Sequence, residues 1–488
     1  MARVRPFEER VLDERRILRG DVAALRARIE QHARGPRSKE ILLATLDSEA
    51  AGHLPWVSFL CPPVIERGQG ATLWDVDGNE YVDCQAGLAV AAVGHGNTEV
   101  ADAIDRQLRQ VTQYAELPLQ VRASLSRRMA ATFPGGGPAK VFHAVTGGEA
   151  VEIAMKLARW YTGKPIILTQ YADYHGRTAG AMGMSSKAFM VAYQWPVPAH
   201  DTAISRFPFA YCYRCPYDKT YPECELHCVS VLERQFESKE APFRNPRSGI
   251  TNVAAIFIEP FQSSAGYIIP PPEYHQRLAA IADAYEILFA VDEIQSGMGR
   301  TGRMWAIEHS GVSPDLLVTA KAISNGLPMS MVIGDPEVLD SYGPGGHSTT
   351  FAGYAAAAAG GNAVLDIFER DNLLEKVEER GAYFLDGLRA LQAEHPFVGD
   401  VQGKGLFLAL ELVADRTTKA PASEATAWAH QELLNEGVVC MASGYFGNRL
   451  MLAPPLVIQQ AEIDRALAAF DRVIGAAERR FELARVMA

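Results

Sequence analysis

The sequence predicts an α/β protein, a largely parallel sheet held between helices, with a smaller α+β unit beside it. Two observations carry that expectation. From Asp83 to about residue 335, short apolar strands alternate with amphipathic helical stretches, the pattern of a parallel sheet covered on both faces. Past a glycine-rich break at Gly343 to Gly346, the pattern changes to long helices and then to mixed strands and helices. A length of 488 residues with an ordinary soluble composition suits two such units.

Taken in order, residues 1–50 form a charged helical extension, with Val22, Leu25 and Ile29 recurring at helical spacing. Residues 51–84 open the smaller unit. Within them Ala71 to Asp83 reads as a hairpin, because Asp77-Gly78 supplies a positive-φ turn between two alternating segments. The large unit spans 85–350, with strands expected at Lys140 to Ala144, Pro165 to Thr169, Val253 to Ile258, Ile287 to Val291, Leu316 to Thr319 and Met331 to Ile333. Residues 351–488 complete the smaller unit, beginning with a helix from Ala355 to Glu369 and a long charged helix to about Glu394.

A net charge of −11 without any basic run argues against nucleic acid or an anionic membrane surface as the main partner, and points to small molecules. The first ten residues alternate charges and lack an apolar segment, and the most apolar stretch, Phe351 to Phe368, suits a packed helix. The expected location is the cytoplasm. Four of the seven cysteines crowd into Cys212-Tyr-Arg-Cys215 and Cys224-Glu-Leu-His-Cys228. A metal knuckle, a disulfide or redox pair, and plain loop packing all remain open for this insertion at 211–228, with His227 read as a helix-surface residue.

In an open α/β sheet, ligands bind beyond the carboxyl ends of the strands. Candidate chemistry collects there. Lys321 follows the apolar run Leu316 to Thr319, where partial burial would favour its neutral, nucleophilic amine. Thr146-Gly147-Gly148-Glu149 opens a helix whose bare amides suit an anion such as phosphate. Tyr174-His175-Gly176-Arg177 offers a ring for stacking and a cation for a carboxylate, while Asp292 ends another apolar strand and calls for a cationic partner.

This set, in this order, resembles the class III aminotransferases of fold type I. The likeness runs from about Val64 to Phe470 and includes Trp74-Asp-Val-Asp-Gly-Asn-Glu-Tyr-Val-Asp83, Ile258-Glu-Pro260, Val291-Asp-Glu-Ile-Gln295, Gly299-Arg-Thr-Gly302, Ala320-Lys321, Thr350-Phe351, Val401-Gln-Gly-Lys-Gly405 and Ala453-Pro-Pro-Leu456. It implies a seven-stranded sheet and pyridoxal 5′-phosphate as cofactor. Lys321 would bind the cofactor aldehyde covalently and shuttle the substrate Cα proton, and Asp292 would keep the pyridine nitrogen protonated. Gln295 would bond the ring oxygen, Tyr174 would stack, and Gly147 and Gly148 would hold the phosphate. Thr350 would reach the phosphate of a neighbouring subunit, so the resemblance also implies at least a homodimer. Arg177 matches the family's carboxylate-binding arginine.

Two departures shape the substrate expectation. Glutamate-using relatives carry an acid where Ser264 stands and a gating arginine where Met451 stands; Arg449, two residues earlier on the same strand face, is a candidate replacement for the missing charge. The turn after the lysine, Ala322-Ile-Ser-Asn-Gly-Leu-Pro-Met-Ser330, is similar to that of amino-acid racemases and epimerases on the same fold. The expected reaction is transfer of an amino group from an ω-amino acid or amine, such as 4-aminobutyrate, to a 2-oxo acid. The alternatives are a racemase or epimerase and a decarboxylating aminotransferase. A binding protein that kept only the fold would have no need of Lys321 and Asp292.

Overall fold

The structure, a computed structural model, describes residues 22–50, 61–187, 203–240, 243–245 and 247–481. The parts of the expected N-terminal segments at 1–21 and 51–60 lie outside the described residues.

Its centre is a seven-stranded sheet in the order Lys140–Ala144, Ser330–Gly334, Leu316–Thr319, Leu288–Asp292, Val253–Ile258, Ile166–Gln170 and Ile204–Phe207. Neighbours from Leu316–Thr319 to Ile204–Phe207 pair in parallel, whereas Ser330–Gly334 is antiparallel to both of its neighbours. Six strands therefore run one way and end on one edge. The three central strands are buried along their whole length, which is why they read as unbroken apolar runs. Helix Gly147–Thr162 covers one face through Ala150, Val151, Ala154 and Leu157, and it stops at Gly163, whose φ of 66° is the left-handed conformation that ends helices cheaply at glycine.

The expected hairpin forms: Thr72–Asp75 pairs antiparallel with Glu80–Asp83, with Gly78 at φ 90° in the turn. Glu80–Asp83 also pairs in parallel with Val438–Val439, so a segment from each end of the chain enters one small sheet. A second small sheet runs Val398–Lys404, Phe407–Asp415, Arg449–Leu452 and Met441–Ser443; helices Leu373–Glu394 and Ser423–Asn435 pack on it, and helix Gln460–Arg480 packs on both of these helices and on Glu80–Asp83. Helix Ala355–Arg370 instead packs on helices Thr98–Gln110 and Gln120–Ala131 and on the Lys321–Ser324 turn. We propose on that ground that the boundary between the two bodies lies beyond Arg370 rather than at residue 350.

Of the N-terminal extension, helices Val22–His32 and Pro36–Ser48 bury Ile29, Leu42 and Leu46 between them. The hairpin holds them: Asp77 accepts the amides of Arg37 and Ser38 at 3.1 and 2.9 Å, a carboxylate at the positive end of a helix. No helix of the described residues is long and apolar enough to cross a membrane.

Candidate active site

Five segments that follow strands of the large sheet surround one cleft of ≈ 640 Å³, because the strands deliver their carboxyl ends to the same edge. Thr146, Gly147 and Gly148 follow Lys140–Ala144; Tyr174 to Thr178 follow Ile166–Gln170; Glu259 and Ser263 follow Val253–Ile258; Asp292 and Gln295 follow Leu288–Asp292; Lys321 follows Leu316–Thr319.

Lys321 has φ 44° and begins a single 3₁₀ turn that ends at Ser324. Asn325, also left-handed, fastens this turn to the Val93–Gly94 segment by accepting the Val93 amide at 3.0 Å and donating to the Gly94 carbonyl at 2.9 Å. Burial pulls the Lys321 pKa down to about 8, with the carboxylates of Asp292 and Glu259 partly opposing it.

Asp292 is 4 % exposed, and its Oδ2 lies 2.8 Å from His175 Nδ1. The other ring nitrogen of His175 faces Asp173 Oδ2 at 3.4 Å and Thr169 Oγ1 at 3.1 Å. Burial alone would lower the His175 pKa, but its bonds to Asp173 and Asp292 outweigh that and raise it to about 10. The His175 ring, held protonated, thus sits between two buried acid side chains at the cleft wall. Glu259 accepts the Tyr174 amide at 2.8 Å and the Ser263 amide at 3.0 Å, and burial followed by the charge of Asp173 pushes its pKa up to about 8.

Gly147 and Gly148 are the first two residues of helix Gly147–Thr162, so their amides have no intrahelical carbonyl to bond. The next amide, that of Glu149, is capped by Thr146 Oγ1 at 3.3 Å, while the Glu149 carboxylate accepts the Val145 amide at 2.8 Å. Gly176, at φ 140°, is packed so closely that a Cβ there would stand 2.9 Å from Gly148 Cα. Arg177 is exposed at the cleft rim, with Nε 3.3 Å from the Tyr174 hydroxyl. Gln295 donates to the Tyr267 hydroxyl at 2.8 Å.

The sequence-expected residues Lys321, Asp292, Gln295, Tyr174, Gly147, Gly148 and Arg177 all line this cleft. Two others do not. Thr350 is exposed and is absent from the cleft of its own chain. Arg449 is a correction. It is fully buried outside the cleft, where Nη1 lies 2.8 Å from Glu411 Oε2 and 3.2 Å from Asp400 Oδ2, so its charge is engaged within the protein. The Met451 side chain, on the same strand, is buried with Phe261, Tyr267 and Phe407. Sequence reasoning assigned no role to His175 or Ser263 and gave Glu259 none beyond its motif. The available signal for His175 was a histidine between a stacking tyrosine and a glycine.

Residues 58–474 match the model of the class-III aminotransferases, and the chain belongs to that family, a class of pyridoxal-phosphate-dependent enzymes. It is 34% identical over 426 residues to a leucine/methionine racemase of Thermococcus litoralis, covering 86% of this chain and 91% of the relative. A 5-aminovalerate aminotransferase of Pseudomonas aeruginosa is 35% identical over 409 residues, covering 83% of this chain and 92% of the relative. Among solved structures, an amine transaminase from an uncultivated Pseudomonas species in PLP-bound form superposes with a TM-score of 0.77 at 28% identity, covering 88% of this chain and 97% of that one.

Proposed function

We propose that this chain moves an amino group from an ω-amino acid or amine to a 2-oxo acid, with pyridoxal 5′-phosphate in the cleft. The observation that carries the reading is the burial of an amine of lowered pKa, Lys321, in one cleft with a carboxylate, Asp292, that is backed by an imidazolium. The residues present fit the cofactor. The uncommitted amides of Gly147 and Gly148 suit its phosphate, the ring of Tyr174 suits stacking, and Asp292 suits a protonated pyridine nitrogen. When bound, pyridoxal phosphate supplies an electron sink conjugated to the reacting carbon.

The protein's own part follows from the geometry. Lys321, with a pKa near 8, takes a proton from the substrate Cα and returns it. His175, held as a cation, fixes the orientation of the Asp292 carboxylate. Arg177 is the one guanidinium lining the cleft among the described residues, and at the rim it serves a single carboxylate. With Met451 buried among apolar side chains and Arg449 held by Glu411, a second fixed cation for a dicarboxylate is missing from the described lining, which favours donors with one carboxylate or none.

A homodimer belongs to the same proposal. Thr350 is exposed, its carbonyl accepts from Gln113 at 3.0 Å, and the nearby chain exposes Tyr114 and Leu117 together with Phe351. This face suits a second copy that receives Thr350 at its own cleft.

A second reading, racemisation or epimerisation of a neutral amino acid, is supported by the 34% identical racemase and by the apolar burial at Met451. Incubation with single-enantiomer amino acids and with ω-amino acids, each with and without pyruvate or 2-oxoglutarate, separates the two. Transamination requires the acceptor and yields a new oxo compound. Scrambled chirality without any acceptor overturns the first reading in favour of the second.

A further inference from the structure

We propose that Cys212, Cys215, Cys224 and Cys228 form a tetrathiolate site for a zinc-class cation that closes the 211–228 insertion. The four cysteines, separated by up to sixteen positions along the chain, all line one small cavity of ≈ 20 Å³. A volume of about 10–15 Å³ admits one water-sized particle, so this space fits a single ion and excludes an organic ligand. No Asp or Glu lines it; beside the four cysteines stand His227, Lys219, Tyr211 and Tyr221, and soft sulfur without carboxylate oxygen selects zinc over magnesium or calcium. A disulfide or redox reading uses the cysteines two at a time and gives no reason for both pairs to face one cavity.

The backbone on both sides of the cysteines is already fastened to the body. Tyr211 and Arg214 both bond the buried carboxylate of Glu411, and Lys419 Nζ donates to the Tyr213 carbonyl at 2.7 Å. Behind the second pair, Arg277 Nη1 donates to the Glu225 carbonyl at 2.7 Å and the Tyr221 hydroxyl donates to Glu273 at 3.0 Å. No three of the sulfurs lie within 4.8 Å of one another, whereas tetrahedral Zn–S bonds of about 2.3 Å place sulfurs about 3.8 Å apart. Rotation about one Cα–Cβ bond moves a cysteine sulfur by up to about 3 Å, so binding is expected to turn these side chains toward the cavity. His227 also lines the cavity, its ring edge-on to Tyr217 at 5.0 Å, but four sulfurs are enough for a tetrahedral ligand set.

The site would act as a structural clamp, because the insertion it closes carries Tyr211 and Arg214 to Glu411. The test is metal content. Full-length protein purified with reductant and without chelator should carry about one zinc per chain, and replacement by Co²⁺ should give the visible bands of a tetrahedral thiolate centre. Cys212→Ser/Cys224→Ser should lose the metal, and a chelator should lower the melting temperature of the unsubstituted protein alone. Because the first measurement needs no variant, misfolding of the double substitution does not rescue the idea. Absence of metal after incubation with Zn²⁺, absence of Co²⁺ bands, or mass spectrometry showing two disulfides in freshly lysed cells would each overturn it.

Discussion

His175 Nδ1 and Asp292 Oδ2 stand 2.8 Å apart in the cleft wall, although they are 117 positions apart in the chain. The two sit at the ends of different strands of one sheet, and parallel packing brings those ends together. Asp292 thereby gains a fixed charge-assisted partner at Oδ2, while its Oδ1 accepts the Ile294 amide at 3.0 Å.

His175→Gln should lower turnover by roughly 10- to 100-fold while leaving the cleft able to hold cofactor, since an outer partner of this kind typically contributes that much. Asp292→Asn should cost more, because it removes the charge itself. Steady-state rates of the two cofactor-saturated variants check the order.

Stability against pH tests the same pair. The His175 pKa is raised in the folded protein to about 10 from an ordinary 6.5, so its contribution is fully present below pH 6.5 and is lost as pH rises through about 10. The difference in unfolding free energy between the unsubstituted protein and His175→Gln, measured in urea, should therefore shrink from pH 6.5 to pH 10. A difference that stays constant or grows would contradict the protonated reading.

Arg177→Ala should raise KM for donors that carry a carboxylate by about 10- to 100-fold, the 1–3 kcal/mol of a lost charged hydrogen bond, and leave KM for uncharged amines nearly unchanged. Parallel kinetics with 4-aminobutyrate and a simple primary amine read out the contrast.

Arg449→Met should behave differently. It strands Glu411 in a fully buried site with Arg214 as its remaining cation, so the loss should be large, about 3–5 kcal/mol, and substrate KM should not move. Combining it with Glu411→Gln should restore part of that stability. Chemical denaturation of the single and double variants gives the comparison.

The pattern of what sequence reading found follows from which interactions are local. Val253–Ile258 and Leu316–Thr319 form where expected, because strands buried on both faces read as short, nearly unbroken apolar runs, and the edge strand Lys140–Ala144 forms where expected too. Ile204–Phe207 escaped notice: it is an edge strand whose Ser205 and Arg206 interrupt the apolar run. Most of the cleft was legible for a similar reason, since each group follows a strand end by a few residues and needs only the rule that such ends share an edge. Arg449 was not. Strand alternation correctly placed it on the Met451 face, but its cross-strand partner is Glu411, 38 residues away, and nothing local to Arg449 announces that pairing.

The most direct test of the central claim is to load the purified protein with pyridoxal phosphate, reduce it with borohydride and map the labelled peptide. The account predicts a visible absorbance band lost on reduction and a pyridoxyl group on Lys321, with capture by the cofactor-free protein rising with pH about a midpoint near 8 rather than near 10.5. Label on another lysine, or no label in saturated protein, would contradict it.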